Sequence, residues 1–143
     1  MRIYWANSIF GQADRDFNAY CVERLRASGL VVNSPQNLPF NAGDEEASAD
    51  NIFKSDTEMI QACDVLVACI DQETVDCGVA CEIGIAWSLG KRVIALYTDF
   101  RQHRTGDYRM YKNPYVIGCI QDCGRIVDNV DSLISLLLKE QSE

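Results

Sequence analysis

Along the chain, short runs in which nearly every position is apolar alternate with longer stretches in which apolar residues recur every three or four positions. The short runs, residues 2–6, 30–33, 64–70 and 92–97 with a weaker one at 125–127, predict strands. The longer stretches predict helices near residues 13–28, 51–62, 78–89, 113–121 and 130–140. Strands buried on both faces read as unbroken apolar runs, and strict alternation of strand with helix marks a parallel sheet covered on both sides. The expectation is one domain over residues 1–143, a flavodoxin-like or Rossmann-like three-layer α/β/α sandwich on a five-stranded parallel sheet. The apolar run SLISLLLK near the end is a helix face to be docked on that sheet.

Two stretches break the regularity, residues 34–49 with two prolines and an acidic cluster, and residues 98–112, rich in Arg, Asp and Tyr. Both follow strands, so both should overhang the carboxyl edge of the sheet, where ligands bind in open α/β folds.

Composition narrows the classes of function. At 143 residues and 48% apolar, the chain is long enough to bury a core, yet it has no apolar stretch that spans a bilayer. Its opening, MRIYWAN, lacks the layout of a secretory leader, and the expected location is cytoplasmic. A formal net charge of -8 repels a phosphate backbone, and no stripe of Lys and Arg interleaves with aromatics, which excludes DNA and RNA polymers as partners. The seven cysteines are odd in number and sit mostly in apolar runs, so they are expected as reduced core thiols. Cys77 with Cys81 and Cys119 with Cys123 are spaced too widely for the first pair of a structural zinc site, and no metal is expected. His103, the one histidine, lies in a polar loop with no partner for a Ser-His-Asp triad and is expected to be solvated.

The chemistry concentrates in VDCGVACEIGIAW, residues 75–87. Asp76 falls at the N-cap of the predicted helix and Glu82 about one turn inside, both toward the ligand edge, while Gly78 shares the face of Glu82 and leaves room beside the backbone. The start of a helix favours ionised carboxylates, so Glu82 is expected to be anionic at neutral pH. A well-held carboxylate can capture a sugar carbon that becomes oxocarbenium-like during glycosyl transfer. Acids in a first helical turn are also common as plain caps, and spacing alone leaves both readings open.

Three stretches resemble the nucleoside 2-deoxyribosyltransferase family: IYWANSIFGQADRDFNAY, residues 3–20; SDTEMIQACDVLVACI, residues 55–70; and DCGVACEIGIAWSLGK, residues 76–91. A fourth, NPYVIGCI at residues 113–120, is a weaker match. The resemblance implies that Glu82 is the nucleophile that takes the deoxyribosyl group, that the Tyr4 hydroxyl holds its carboxylate, and that Asp56 and Asp76 position the sugar hydroxyl and the base, one of them protonating the leaving base. It implies that Asn113 reaches into a neighbouring subunit's site, hence a homo-oligomer, dimer or higher; Ala6, Phe10 and Gly78 are expected to line the substrate. It implies a double displacement with retention between purine or pyrimidine bases, a role in nucleoside salvage, and neither metal nor organic cofactor. Where many members carry Gly-Pro after the first strand, this chain has Asn7 and Ser8, beside the sugar.

Two other readings remain. The stretch NSIFGQADRD, residues 7–16, resembles the loop of related N-glycoside hydrolases that act on nucleoside monophosphates, but Asp76 stands where those have a small hydroxyl residue. Three acids also repel a phosphate dianion unless Arg15, Arg101 or Arg104 offsets them. A non-catalytic nucleotide-binding module on the same fold is the other reading, with Asp56, Asp76 and Glu82 holding a base without reacting. Phe10, Tyr108, Tyr111 and Tyr115 are candidates to stack on a base, Phe10 foremost because it lies in the loop after the first strand.

Overall fold

The computed structural model of the chain describes residues 1–42, 48–103 and 112–143. Five strands form one sheet: β1 (Arg2–Ala6), β2 (Val31–Asn33), β3 (Val65–Cys69), β4 (Arg92–Leu96) and β5 (Arg125–Val127). Every pairing is parallel and the order is β2-β1-β3-β4-β5, which is the flavodoxin-like one of the two arrangements that the alternation left open. The chain leaves β1 toward β2 on one side and returns to β3 on the other, so the topological switch point lies between β1 and β3.

The sheet is covered on both faces because its central strands are apolar in both directions. Tyr4, Ala6, Leu66, Ala68, Val93 and Ala95 point to one side, where they meet α3 (Ala49–Ala62), α4 (Cys77–Ser88) and α5 (Pro114–Cys123). Ile3, Trp5, Val65, Val67, Ile94 and Leu96 point to the other, against α1 (Gln12–Ala27) and α6 (Val130–Ser142), whose Leu133 and Leu137 dock the SLISLLLK face. No helix among the described residues is long and apolar enough to cross a membrane.

Helix ends follow local chemistry. Ser48, Asp76, Asn113 and Asn129 each accept a backbone N–H from the first turn of α3, α4, α5 and α6. Gly29 and Gly90 take positive φ just past α1 and α4, a conformation that glycine adopts without steric cost. The segment expected to be irregular after β2 contains a short 3-10 turn (Pro35–Asn37) and a single turn, α2 (Pro39–Ala42), each set by a proline at its start. Arg104, Tyr108, Tyr111 and most of the acidic cluster lie outside the described residues.

Gly124, between α5 and β5, carries a packing demand invisible in sequence: a Cβ built there would lie 1.5 Å from the carbonyl oxygen of Val93. The obstacle is backbone in a central strand and cannot move aside as a side chain would. Gly124→Ala is expected to destabilise the fold by about 3 kcal/mol or more, read as a lowered denaturation midpoint with unchanged far-UV ellipticity before the transition.

Candidate active site

Tyr4 and Glu82 are 78 positions apart and meet on the α3–α4 side of the sheet, where the Tyr4 hydroxyl donates to Glu82 Oε1 at 2.7 Å. Strand alternation sends Tyr4 to that face, and helical period carries Glu82 inward about one and a half turns into α4. Tyr4 is fully buried. Burial, together with the neighbouring Glu82 and Asp56 carboxylates, pushes the phenol far above its ordinary pKa, so it stays protonated and donates.

Glu82 departs from the expectation of an anion at neutral pH. Its pKa is pushed up to about 7, first by burial and then by the Asp56 and Asp76 carboxylates, with the Tyr4 hydrogen bond opposing. The field of a helix start weakens within a turn, and Glu82 sits beyond the first turn in a largely dry position, so desolvation wins. Near neutrality the nucleophile candidate is therefore divided between its two protonation states.

Asp76 takes the predicted N-cap position, its Oδ1 accepting from the backbone N–H groups of Gly78 at 2.9 Å and Val79 at 3.1 Å. Gly78 is exposed, and a Cβ there would lie 3.1 Å from that same Oδ1, so the glycine allows the cap to close tightly. Asp56, on α3, has a buried Oδ1 with no hydrogen-bond partner among the described residues, and burial pushes its carboxyl up to about 6. An orphaned buried acceptor beside Tyr4 and Glu82 is a group positioned for a ligand. Ala6 ends β1 opposite Ala68, on the Tyr4 face.

The remaining predicted residues lie apart from this cluster. Phe10 is 82% exposed in the loop after β1. Asn113 caps α5 and no hydrogen bond joins it to the Tyr4–Glu82 pair; it borders a cleft of about 390 Å³ with Glu73, Thr74, Val75 and Cys77. Tyr115 is 80% exposed on α5. Cys77 and Cys81 are exposed, unlike the buried Cys21, Cys63, Cys69 and Cys119, because the turns of α4 that carry them face away from the sheet; the core-thiol expectation fails for these two. Of the cations considered for a phosphate, Arg101 is paired with Asp99, and Arg15 donates to the Ile9 carbonyl at 3.1 Å.

Three polar side chains at or near the site escaped the sequence reading. Ser55 Oγ, beside Asp56 on α3, and Gln72 Oε1, in the turn after β3, are buried without hydrogen-bond partners among the described residues. Asn18 is buried on α1 in line with Cys21, Val22 and Leu25. A polar residue at a position that helical period assigns to the core is a legible signal for Asn18, and Ser55 and Asp56 share it with Ile52, Met59 and Ile60. Gln72 lies in a turn, where period carries no information.

Comparison with known proteins adds to this geometry. The model of the nucleoside 2-deoxyribosyltransferase family matches residues 3–137. A conserved protein from Enterococcus faecalis V583 of known crystal structure is 35% identical, with 98% of each chain covered and a TM-score of 0.89. A 2-deoxyribosyltransferase from Leishmania mexicana is 21% identical over 96% of this chain and 97% of its own, with a TM-score of 0.70. A CMP N-glycosidase from Clostridium botulinum is 20% identical over 96% and 98%, with a TM-score of 0.63. The last two establish a shared fold. No curated protein is a significant sequence match.

Proposed function

The chain belongs to the nucleoside 2-deoxyribosyltransferase family, and from that premise we propose that it moves the 2-deoxyribosyl group of a deoxynucleoside to a second purine or pyrimidine base through an ester on Glu82. What supports this most is the half-buried pair itself: Tyr4 occupies Glu82 Oε1 and leaves Oε2 to attack. In the first step the bond from the anomeric carbon to the base breaks, Oε2 forms the new bond to that carbon, and the base nitrogen takes a proton from Asp56. In the second, a nitrogen of the incoming base attacks the same carbon, the ester bond breaks, and Asp56 recovers a proton. Two inversions give net retention.

Asp56 suits the proton's role better than Asp76. Its carboxyl is pushed up to about 6 and its Oδ1 has no partner, whereas Asp76 Oδ1 already holds the first turn of α4. Asp76 then serves the sugar hydroxyl. Among the described residues, the charges perturbing Glu82 are the Asp56 and Asp76 carboxylates, which raise its pKa, a setting that suits a neutral nucleoside with a developing cation and disfavours a phosphate dianion. Asn113, exposed at the start of α5, is open to a neighbouring subunit, and the sites are proposed to be completed across a homo-oligomer.

Incubation with a deoxynucleoside and a second free base, followed by chromatography, tests the reading. A new deoxynucleoside that forms only with the second base supports transfer; free base released from monophosphates alone would replace transfer by hydrolysis. Tyr4→Phe is expected to slow transfer about tenfold at pH 7. The lost hydrogen bond was holding the Glu82 pKa down, so the limb of the pH–rate profile set by Glu82 should also move to higher pH; a limb that does not move would count against the Tyr4 role.

A further inference from the structure

Asn18 lies on α1, across the sheet from Glu82, and is only 1% exposed. Its amide spends its whole hydrogen-bonding capacity. Oδ1 accepts from Trp5 Nε1 and from Asn7 Nδ2, both at 2.8 Å, while Nδ2 donates to the Ser8 carbonyl and to Gln36 Oε1, both at 2.9 Å. Asn7 Oδ1 in turn accepts from Gln72 Nε2 at 2.7 Å, and the Gln72 carbonyl accepts from the buried Lys112 ammonium. The amides form a chain from α1, across the carboxyl end of β1, to the turn between β3 and α4 that leads to Asp76.

That chain crosses the switch point between β1 and β3, where the strand ladder ends at Ala6 and Ala68 and backbone pairing no longer fixes the two segments. An apolar side chain would pack equally well at a core position of α1, whereas a buried amide costs stability unless every bond is made. What Asn18 holds is therefore the better account of its presence. Its partners on β1 and in the following loop adjoin Tyr4, and Phe10 projects from the same loop.

We propose that Asn18 is a positioning residue, which fixes the loop Asn7 to Phe10 and, through Gln72, the approach to Asp76 against the Tyr4–Glu82 pair. This rests on the transfer reading. Displacing reacting groups by about 1 Å can cost on the order of 10²-fold in rate, so Asn18→Ala is expected to lower kcat by about 10- to 100-fold with a smaller change in KM. Asn7→Ala removes the middle link and should act in the same direction. Because the two lie in one chain of bonds, the double variant should lose little more than the worse single one.

The experiment measures kcat and KM for transfer in Asn18→Ala, Asn18→Asp, Asn7→Ala and the Asn18→Ala/Asn7→Ala double variant, with amide hydrogen exchange over residues 7–10 and 70–76. Asn18→Asp keeps the size and both acceptor bonds and loses the two donors; Asn7→Ala, in the loop after β1, supplies the folded variant if the changes at buried Asn18 do not fold. Faster exchange in both segments with the kcat loss supports the proposal. Wild-type kcat in a folded variant, additive losses, or unchanged exchange would overturn it. If the wild-type protein transfers no base, the transfer reading has failed, and the exchange data alone decide whether Asn18 fixes the loop.

Discussion

Replacing Glu82 by Gln is expected to remove base exchange and, at alkaline pH, to make the protein more stable. The first effect follows from the loss of the nucleophile: an amide neither captures the anomeric carbon nor leaves it as a carboxylate, and removal of a nucleophile of this kind costs at least about 10³-fold. The second follows from burial. The folded pKa of Glu82 is raised from 4.5 to about 7, so its charged form is disfavoured in the folded state. The penalty is absent below the unfolded pKa, grows as pH rises from about 4.5 to about 7, and is fully present above that. Gln keeps an acceptor for the Tyr4 hydroxyl and carries no charge. At pH 8 the variant should be stabilised on the order of 2 kcal/mol, with most of the difference gone at pH 5. Denaturation midpoints at the two pH values, beside product formation at pH 7, check both halves. Exchange at more than one-tenth of the wild-type rate, or a stability change independent of pH, would count against the assignment.

The next largest effect is expected at Asp56. With Asp56 pushed up to about 6 and Glu82 to about 7, transfer needs Asp56 protonated and Glu82 ionised, and kcat/KM should trace a bell with limbs near those values and a maximum between them. The limbs belong to the two interacting carboxyls together. Asp56→Asn removes the proton donor and is expected to lower kcat by about 10²- to 10⁴-fold for bases that must leave protonated. The bell should collapse to a single rise set by Glu82, whose pKa falls below its wild-type value because the Asp56 charge that raised it is gone. A substrate whose base leaves without protonation should lose much less. Equal losses for both kinds of substrate would show that Asp56 holds the site's shape and moves no proton.

Much of the fold was legible because its physics is local. Five apolar runs and five helical periods located every strand and each long helix to within a few residues, and Asp76 was readable as a cap because capping depends on the residue and the next three amides. Asp56 and Ser55 were harder, since their burial depends on how α3 lies against β1. The protonation of Glu82 is not legible in sequence for the same reason: the field of a helix start is local, while desolvation is a property of the assembled site.

Side-chain period and motif spacing are properties of neighbouring residues, and they suffice for the three-layer architecture, the succession of its elements along the chain and the family. Left to the folded structure were the Glu82 charge, disfavoured by burial, the glycine that the Val93 backbone requires at 124, and the bonds by which Asn18 ties the exit of β1 to the turn after β3; the Tyr4–Glu82 contact across 78 positions, implied by the resemblance, takes its 2.7 Å length from the fold. Each of these depends on distance and dielectric between segments remote in the chain, and those quantities come into being only when the sheet and its helices close around them.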